Sequence, residues 1–166
     1  MPTSDNLQAA FAGESQANRK YLAFAAKAEA EKQPQIAKLF RAVAAAETVH
    51  AHAHLRVMNG VGDTKHNLQA AIAGENHEFE EMYPKFIQAA QAEGNADAVT
   101  SFRNAMAVEK THYDLYRKAL EGLDDGKDVM PASIYVCSEC GHTVWGKAPD
   151  ECPVCGASRF KFKEVV

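Results

Sequence analysis

The octapeptide Leu-Gln-Ala-Ala-Phe-Ala-Gly-Glu at residues 7–14 returns at residues 68–75 as Leu-Gln-Ala-Ala-Ile-Ala-Gly-Glu, an offset of 61 with seven of eight positions identical. Ala46-Glu47-Thr48-Val49-His50 is answered by Val108-Glu109-Lys110-Thr111-His112 at an offset of 62, so the second copy has gained one residue. A chain made of two copies of one supersecondary unit folds as two similar halves that bury their apolar faces against a neighbour. The repeat also places a Glu at the same point of four successive segments, with a His three residues on in two of them.

The duplicated stretch, from Ser4 to about Gly122, is rich in Ala, Glu, Lys, Gln and Leu and poor in β-branched residues, which is helix-forming composition. Its punctuation predicts four helices, over about residues 5–31, 34–59, 64–94 and 96–121, bounded by Pro34, Gly60-Val61-Gly62, Gly94 and Gly122. Pro84 falls inside the third, where it removes one hydrogen bond and opposes the carbonyl of Glu80, so a kinked but unbroken helix is expected. A polar segment without periodicity follows, and then residues 134–166 bring aromatics, β-branched residues, glycines and all four cysteines. The expected organisation is a helical bundle over 1–122, a linker over 123–133 and a small metal domain over 134–166.

Eighteen Lys and Arg against 22 Asp and Glu give a net charge of −4, and no basic block is present. That argues against nucleic acid or an anionic lipid surface as partner. No apolar run approaches the roughly 20 residues a membrane helix needs. With 46% hydrophobic and 24% charged residues the chain is of globular type. The start, Met-Pro-Thr-Ser-Asp-Asn, has neither the basic nor the apolar character of a leader, so a cytoplasmic address is expected.

Glu and His three apart share one helix face, so Glu47 with His50, and Glu109 with His112, each aim at one point. Glu14 and Glu75 add one carboxylate each from the other two helices. Counted from the first turn, Glu14 and the Glu47/His50 pair differ in height by only about 3 Å at 1.5 Å per residue. Four carboxylates and two imidazoles on one level of a bundle are the ligand set of a dinuclear carboxylate site, of di-iron or di-manganese type. One Glu-x-x-His pair alone reads as a solvated face; two in register with two further Glu do not. Glu78 shares the face of Glu75 but corresponds to Ala17 in the first copy, so the two metal positions are unequal. Tyr21 and Tyr83, one to two turns beyond Glu14 and Glu75, are either core aromatics or neighbours of the metals. His52, His66, His77 and His142 fit no part of the pattern and are read as surface residues; His54, four after His50, is read as a packing residue.

Cys137-Ser-Glu-Cys140-Gly and Cys152-Pro-Val-Cys155-Gly form two knuckles, a four-thiolate set suited to zinc or iron. Zinc would make a structural ribbon and iron a one-electron carrier.

The duplicated Gly-Glu and Glu-x-x-His helices, Met82-Tyr83-Pro84, Glu78 and the terminal four-cysteine segment together make nearly the whole chain resemble a rubrerythrin. The resemblance implies a ferritin-like four-helix bundle followed by a small, mostly β rubredoxin-like domain, and it moves the four-cysteine metal from zinc to iron. It implies reduction of hydrogen peroxide to water at a di-iron centre, with electrons relayed through the four-cysteine iron from an NADH-linked reductase or a rubredoxin, in defence against oxidative stress. On the same grounds Glu47 and Glu109 bridge the irons, Glu75 and His112 complete one iron, and Glu14 binds the other with Glu78 or His50 alternating by redox state. Tyr21 and Tyr83 become the tyrosines around the site. A ferroxidase or iron-storage protein is the alternative, which the attached electron carrier argues against. An interaction module with structural zinc would leave the Glu/His layer unexplained. The connection between the second and third helices is too short to cross back along one ferritin-like bundle, which leaves an up-down-up-down monomer or a homodimer that exchanges hairpins; the resemblance to the ferritin-like arrangement favours the exchanged homodimer.

Overall fold

The computed structural model describes residues 2–128 and 132–166. It divides into two compact units, Met1–Gly62 and Asp63–Val166, so the division falls between the two copies of the repeat. Residues 129–131, in the middle of the segment read as a linker, lie outside the described residues.

The first unit is one antiparallel hairpin of α1 (Thr3–Ala30) and α2 (Pro34–Val57). Ala25 and Ala28 of α1 and Ala37, Ala44 and Ala51 of α2 are all buried. Alanines seven apart on α2 stay on one side of the helix and let the two backbones approach closely. Asn18 fastens the seam by donating to the carbonyl of Ala44 (2.6 Å) and to Thr48 Oγ1 (2.8 Å). Toward the turn, Tyr21, Phe24 and Phe40 form an aromatic cluster with centroid separations of 6.2, 6.2 and 5.6 Å.

The second unit repeats the hairpin with α3 (Thr64–His77), a π-helical segment (Glu78–Met82), α4 (Tyr83–Ala92) and α5 (Ala96–Asp124). Asp63 and Asn95 cap α3 and α5, accepting from the N–H groups of His66 and Ala98. The aromatic cluster returns as Tyr83, Phe86 and Phe102, at 6.3, 6.2 and 5.6 Å. Tyr21 and Tyr83 are 62 apart whereas Glu14 and Glu75 are 61 apart, so the gained residue lies between Glu75 and Tyr83. That interval holds the π segment. A π turn absorbs one extra residue without leaving the helix, and the Tyr83 N–H donates to the Glu78 carbonyl five residues back. The helix is unbroken, as expected, and Pro84 follows a local change of hydrogen-bond register, standing in the first turn of α4, where its missing N–H costs little.

The same unit continues into a three-stranded antiparallel sheet of order β2-β1-β3, with β1 Ile134–Cys137, β2 Thr143–Trp145 and β3 Phe162–Glu164, the last preceded by a 3₁₀ turn at Arg159–Lys161. Cys137, Ala148, Cys152 and Phe162 form its buried core. A core this small depends on its metal for stability. Among the described residues no helix is long and apolar enough to cross a membrane.

Candidate metal centres

Glu14, Glu47 and His50 form one cluster of ligand atoms, mutually within 4.8 Å, and Glu75, Glu109 and His112 form another. Each hairpin thus builds one triad from its own two helices. His50 Nδ1 lies 2.9 Å from Glu47 Oε2 and 4.0 Å from Glu14 Oε2. The counterpart His112 Nδ1 lies 2.8 Å from Glu109 Oε2 and 3.8 Å from Glu75 Oε2. The i, i+3 spacing within α2 and α5 makes the first contact of each pair; the facing helix delivers the second carboxylate.

The second triad shows why such a set needs a cation. Burial raises the Glu75 carboxyl from 4.5 to about 7, with a hydrogen bond to Glu109 and then the charges of Glu109 and Glu78 adding to the effect. Its Oε2 is buried with no hydrogen-bond partner. Carboxylates crowded this closely cannot all ionise in a protein interior unless a cation stands among them. Glu78 stands outside the triad of ligand atoms, yet its own carboxyl is raised, first by burial and then by the charge of Glu109. Tyr83 faces the same group. Burial and the charges of Glu109, Glu78 and Glu75 raise its hydroxyl, which therefore holds its proton. Tyr21 packs in the aromatic cluster of the first hairpin, and His54 takes no part in either triad.

The four cysteines converge as well, with all sulfurs within 4.8 Å of one another and no disulfide. Cys137 Sγ and Cys155 Sγ are 3.8 Å apart, and Cys140 Sγ and Cys152 Sγ 3.6 Å. A tetrahedron with metal–sulfur bonds of about 2.3 Å has edges of about 3.8 Å, so the thiols stand where a cation requires them. The knuckles repeat each other: the Cys137 N–H donates to the His142 carbonyl (2.9 Å), and the Cys152 N–H donates to that of Ala157 (2.8 Å). Gly141 and Gly156 close them at φ +86° and +73°, where a side chain would be strained. Burial raises Cys140 and Cys155; at Cys137 the N–H groups of Cys140 and Glu139 outweigh burial and lower it.

His142, expected at the surface, is buried with only 8% exposed and stands edge-on to Phe162 at 6.4 Å. It lies in the knuckle beside Gly141, where a Cβ would come within 3.8 Å of Val108 of α5. The next residue, Thr143, reaches His112: its Oγ1 is 3.0 Å from His112 Nε2. Thr143 carries no metal-ligand signature of its own in the sequence. Its adjacency to a knuckle was visible, but a contact spanning 31 positions leaves no periodicity to read.

The description "Rubrerythrin" matches residues 5–120 and "Rubrerythrin, rubredoxin-like domain" matches residues 135–163. The chain belongs to the rubrerythrin family. It is similar to Rubrerythrin-2 of Clostridium acetobutylicum, 33% identical over 97% of this chain and 95% of that protein. Nigerythrin of Nitratidesulfovibrio vulgaris is 36% identical over 92% of this chain and 81% of the relative. A solved structure of nigerythrin in a partially reduced state aligns with a TM-score of 0.60 at 32% identity, over 99% of this chain and 87% of that one. As in the rubrerythrin family, the cofactors are a di-iron centre, served by the Glu/His triads, and one rubredoxin-type iron held by Cys137, Cys140, Cys152 and Cys155.

Proposed function

We propose that this chain is a non-haem di-iron peroxidase that reduces hydrogen peroxide to water, with electrons drawn from an NADH-linked reductase or a rubredoxin and passed through the four-cysteine iron. The observation that carries this reading is the seating of the four-cysteine unit against the ligand helix, with Thr143 Oγ1 3.0 Å from His112 Nε2. A peroxidase must be re-reduced at every turnover, so a one-electron carrier held against its metal ligand has a purpose. An iron-storing protein needs no such supply, which disfavours the ferroxidase alternative. The neighbouring nigerythrin has been solved partially reduced and fully reduced, all ferrous, which supports a redox cycle rather than a static structural metal.

In this reading Glu47 and Glu109 would be the carboxylates shared by the two irons, Glu75 and His112 would hold one, and Glu14 the other with Glu78 or His50. When bound, the ferrous pair supplies the two electrons that cleave the O–O bond without releasing hydroxyl radical. The protein's part is to hold the geometry and the protons. In the metal-free site burial, and then Glu109, favour a proton on Glu75, and Tyr83 keeps its hydroxyl proton beside the same carboxylates. Tyr21 is assigned the corresponding place in the first hairpin, and the site works in the cytoplasm.

The assembly we infer is a homodimer that exchanges hairpins. For both triads of one chain to meet in a ferritin-like bundle, α2 and α3 must run parallel. Ten residues from Glu47 to Val57 and eleven from Thr64 to Glu75 then leave about 30 Å to cross at 1.5 Å per residue. Seven steps of extended chain reach at most about 25 Å. In an exchanged dimer each centre takes Glu14, Glu47 and His50 from one chain and Glu75, Glu78, Glu109 and His112 from the other. Ile36, Leu39 and Val57 of α2 are exposed apolar residues within about 60° of one another around the helix, a stripe such a partner can cover.

The test uses Cys152→Ser. NADH-coupled peroxide reduction should collapse, while the chemically reduced variant still consumes one equivalent of peroxide per di-iron site. An unchanged coupled rate would make the four-cysteine unit structural, and growth of an iron core from ferrous iron and oxygen without peroxide turnover would favour storage.

A further inference from the structure

The contact between Thr143 and His112 determines which nitrogen of the imidazole is free. A threonine hydroxyl has one hydrogen, and Thr143 Oγ1 donates it to the Gly141 carbonyl at 3.0 Å. Its 3.0 Å contact with His112 Nε2 must then use a hydrogen on the ring, donated by Nε2–H to the hydroxyl oxygen. In a neutral imidazole this leaves Nδ1 as a bare lone pair. Nδ1 is the nitrogen that faces Glu109 Oε2 at 2.8 Å and Glu75 Oε2 at 3.8 Å. A lone pair and two carboxylates converging on one spot are a good ligand arrangement once a cation takes the proton's place among them.

We propose that Thr143, on the four-cysteine unit, is a positioning residue for the di-iron centre: it holds His112 as the Nε2–H tautomer with Nδ1 aimed between Glu75 and Glu109. Such support is general for metal-bound histidines, whose second nitrogen is held by a hydrogen-bond partner, and its loss typically weakens the metal about 10–100-fold. Here the supporting group comes from a different part of the chain than the ligands do. Gly141 closes the knuckle begun at Cys137 through its N–H to the Cys137 carbonyl (2.8 Å), so Thr143 is placed by the same turn that places Cys140. The first triad has no such partner among the hydrogen bonds described for His50, which contacts Glu47 and Glu14 alone. The assignment depends on metal binding by the triad and not on which substrate the metals reduce.

The full-length protein, loaded with zinc at the cysteines and free of metal at the triads, gives the first measurement. Nitrogen-15 chemical shifts of the His112 ring, assigned by comparison with His112→Gln, should show a protonated Nε2 and a bare Nδ1. A ring whose single proton sits on Nδ1, with Nε2 bare, overturns the proposal without any substitution at Thr143. The second measurement is cobalt(II) binding, followed by its visible absorption. Thr143→Val, nearly the same shape without the hydroxyl, should lose the single-tautomer pattern and bind cobalt at the triad about tenfold more weakly, with zinc at the cysteines retained. Thr143→Ser, which keeps the hydroxyl, should restore both. Wild-type shifts and affinity in Thr143→Val overturn the assignment, as does a Ser variant that behaves like Val, since that would make the methyl group and not the hydroxyl the working part.

Discussion

The two helical hairpins carry the same triad, the same aromatic cluster and the same turn, yet they differ in how they hold them. His50 is 55% exposed and His112 26%; Glu14 is 32% exposed and Glu75 19%, whereas Glu47 and Glu109 are alike at 15% and 16%. The carboxylate beside each histidine is fixed by helix spacing and is therefore identical in the copies. What differs is the surroundings. The second hairpin meets the four-cysteine segment at Thr143 and carries the π segment with Glu78. At the seam, Asn18 of the first hairpin reaches the carbonyl of Ala44; its counterpart Phe79 instead stacks on Tyr113 at 5.4 Å. The two copies hold the same ligand types, but only the second has Glu78 on the ligand helix and Thr143 beside its histidine.

The largest effect should come from the part the hairpins share. Glu47→Ala and Glu109→Ala should each abolish peroxide turnover and loosen both metals, because a bridging carboxylate serves the pair. Two irons per chain with normal turnover in either variant would refute the bridging roles. Mixing the two variants tests the exchange of hairpins, since a heterodimer would hold one doubly damaged and one intact centre. No recovered activity after confirmed subunit exchange would sink the exchanged dimer.

Next in size is the part the hairpins do not share. Glu78→Ala should leave the ferrous site able to form through His50 and weaken the ferric one, by about tenfold or more, because a carboxylate favours the higher charge and an imidazole the lower. Loss of metal chiefly from the reduced protein, measured by iron content in each redox state, would rule out the exchange of ligands between Glu78 and His50.

Legibility followed the same division. The helices, the Glu and His positions and the knuckles are local or repeated patterns, and their spacing in sequence is their spacing in space. The offset also held the position of the π segment, since it changes from 61 to 62 between Glu75 and Tyr83, but Pro84 drew attention to a kink instead of to the residue gained. His142 and Thr143 were invisible for a different reason. Their burial comes from α5 meeting the knuckle, and nothing in the residues next to them encodes that meeting.

A smaller effect concerns acidity in the metal-free protein. The Glu75 carboxyl is raised from 4.5 to about 7, first by burial and then by Glu109, so between those values the folded state holds a proton that the unfolded chain has released. Stability conferred by that proton is complete below about 4.5 and is lost as pH rises through about 7. Denaturation of the metal-free protein should therefore become easier over this window, and Glu75→Gln should flatten the dependence. An equally steep profile in the Gln variant would assign the effect to other carboxyls.

The smallest effect lies in the turns, where the copies make the same backbone shape from different residues. Lys32 has φ +61° and Gly94 has φ +71°, and the residue after each donates back to Ala28 or Ala90. A left-handed residue at a helix end suits glycine, which has no Cβ to clash, and a lysine there is strained. Lys32→Gly should stabilise the metal-free protein by about 0.5–1 kcal/mol, since the released strain is partly offset by the greater freedom of glycine in the unfolded chain. Gly94→Lys should cost a similar amount. Because the turns lie on separate units and share no partner, the double variant should sum to nearly zero. Iron content should not change, as Lys32 stands 18 residues from Glu14, about 27 Å along the helix. A destabilised Lys32→Gly, measured by urea denaturation, would mean that the lysine side chain contributes more than its backbone strain costs, and the turns would then differ in packing as well as in residue type.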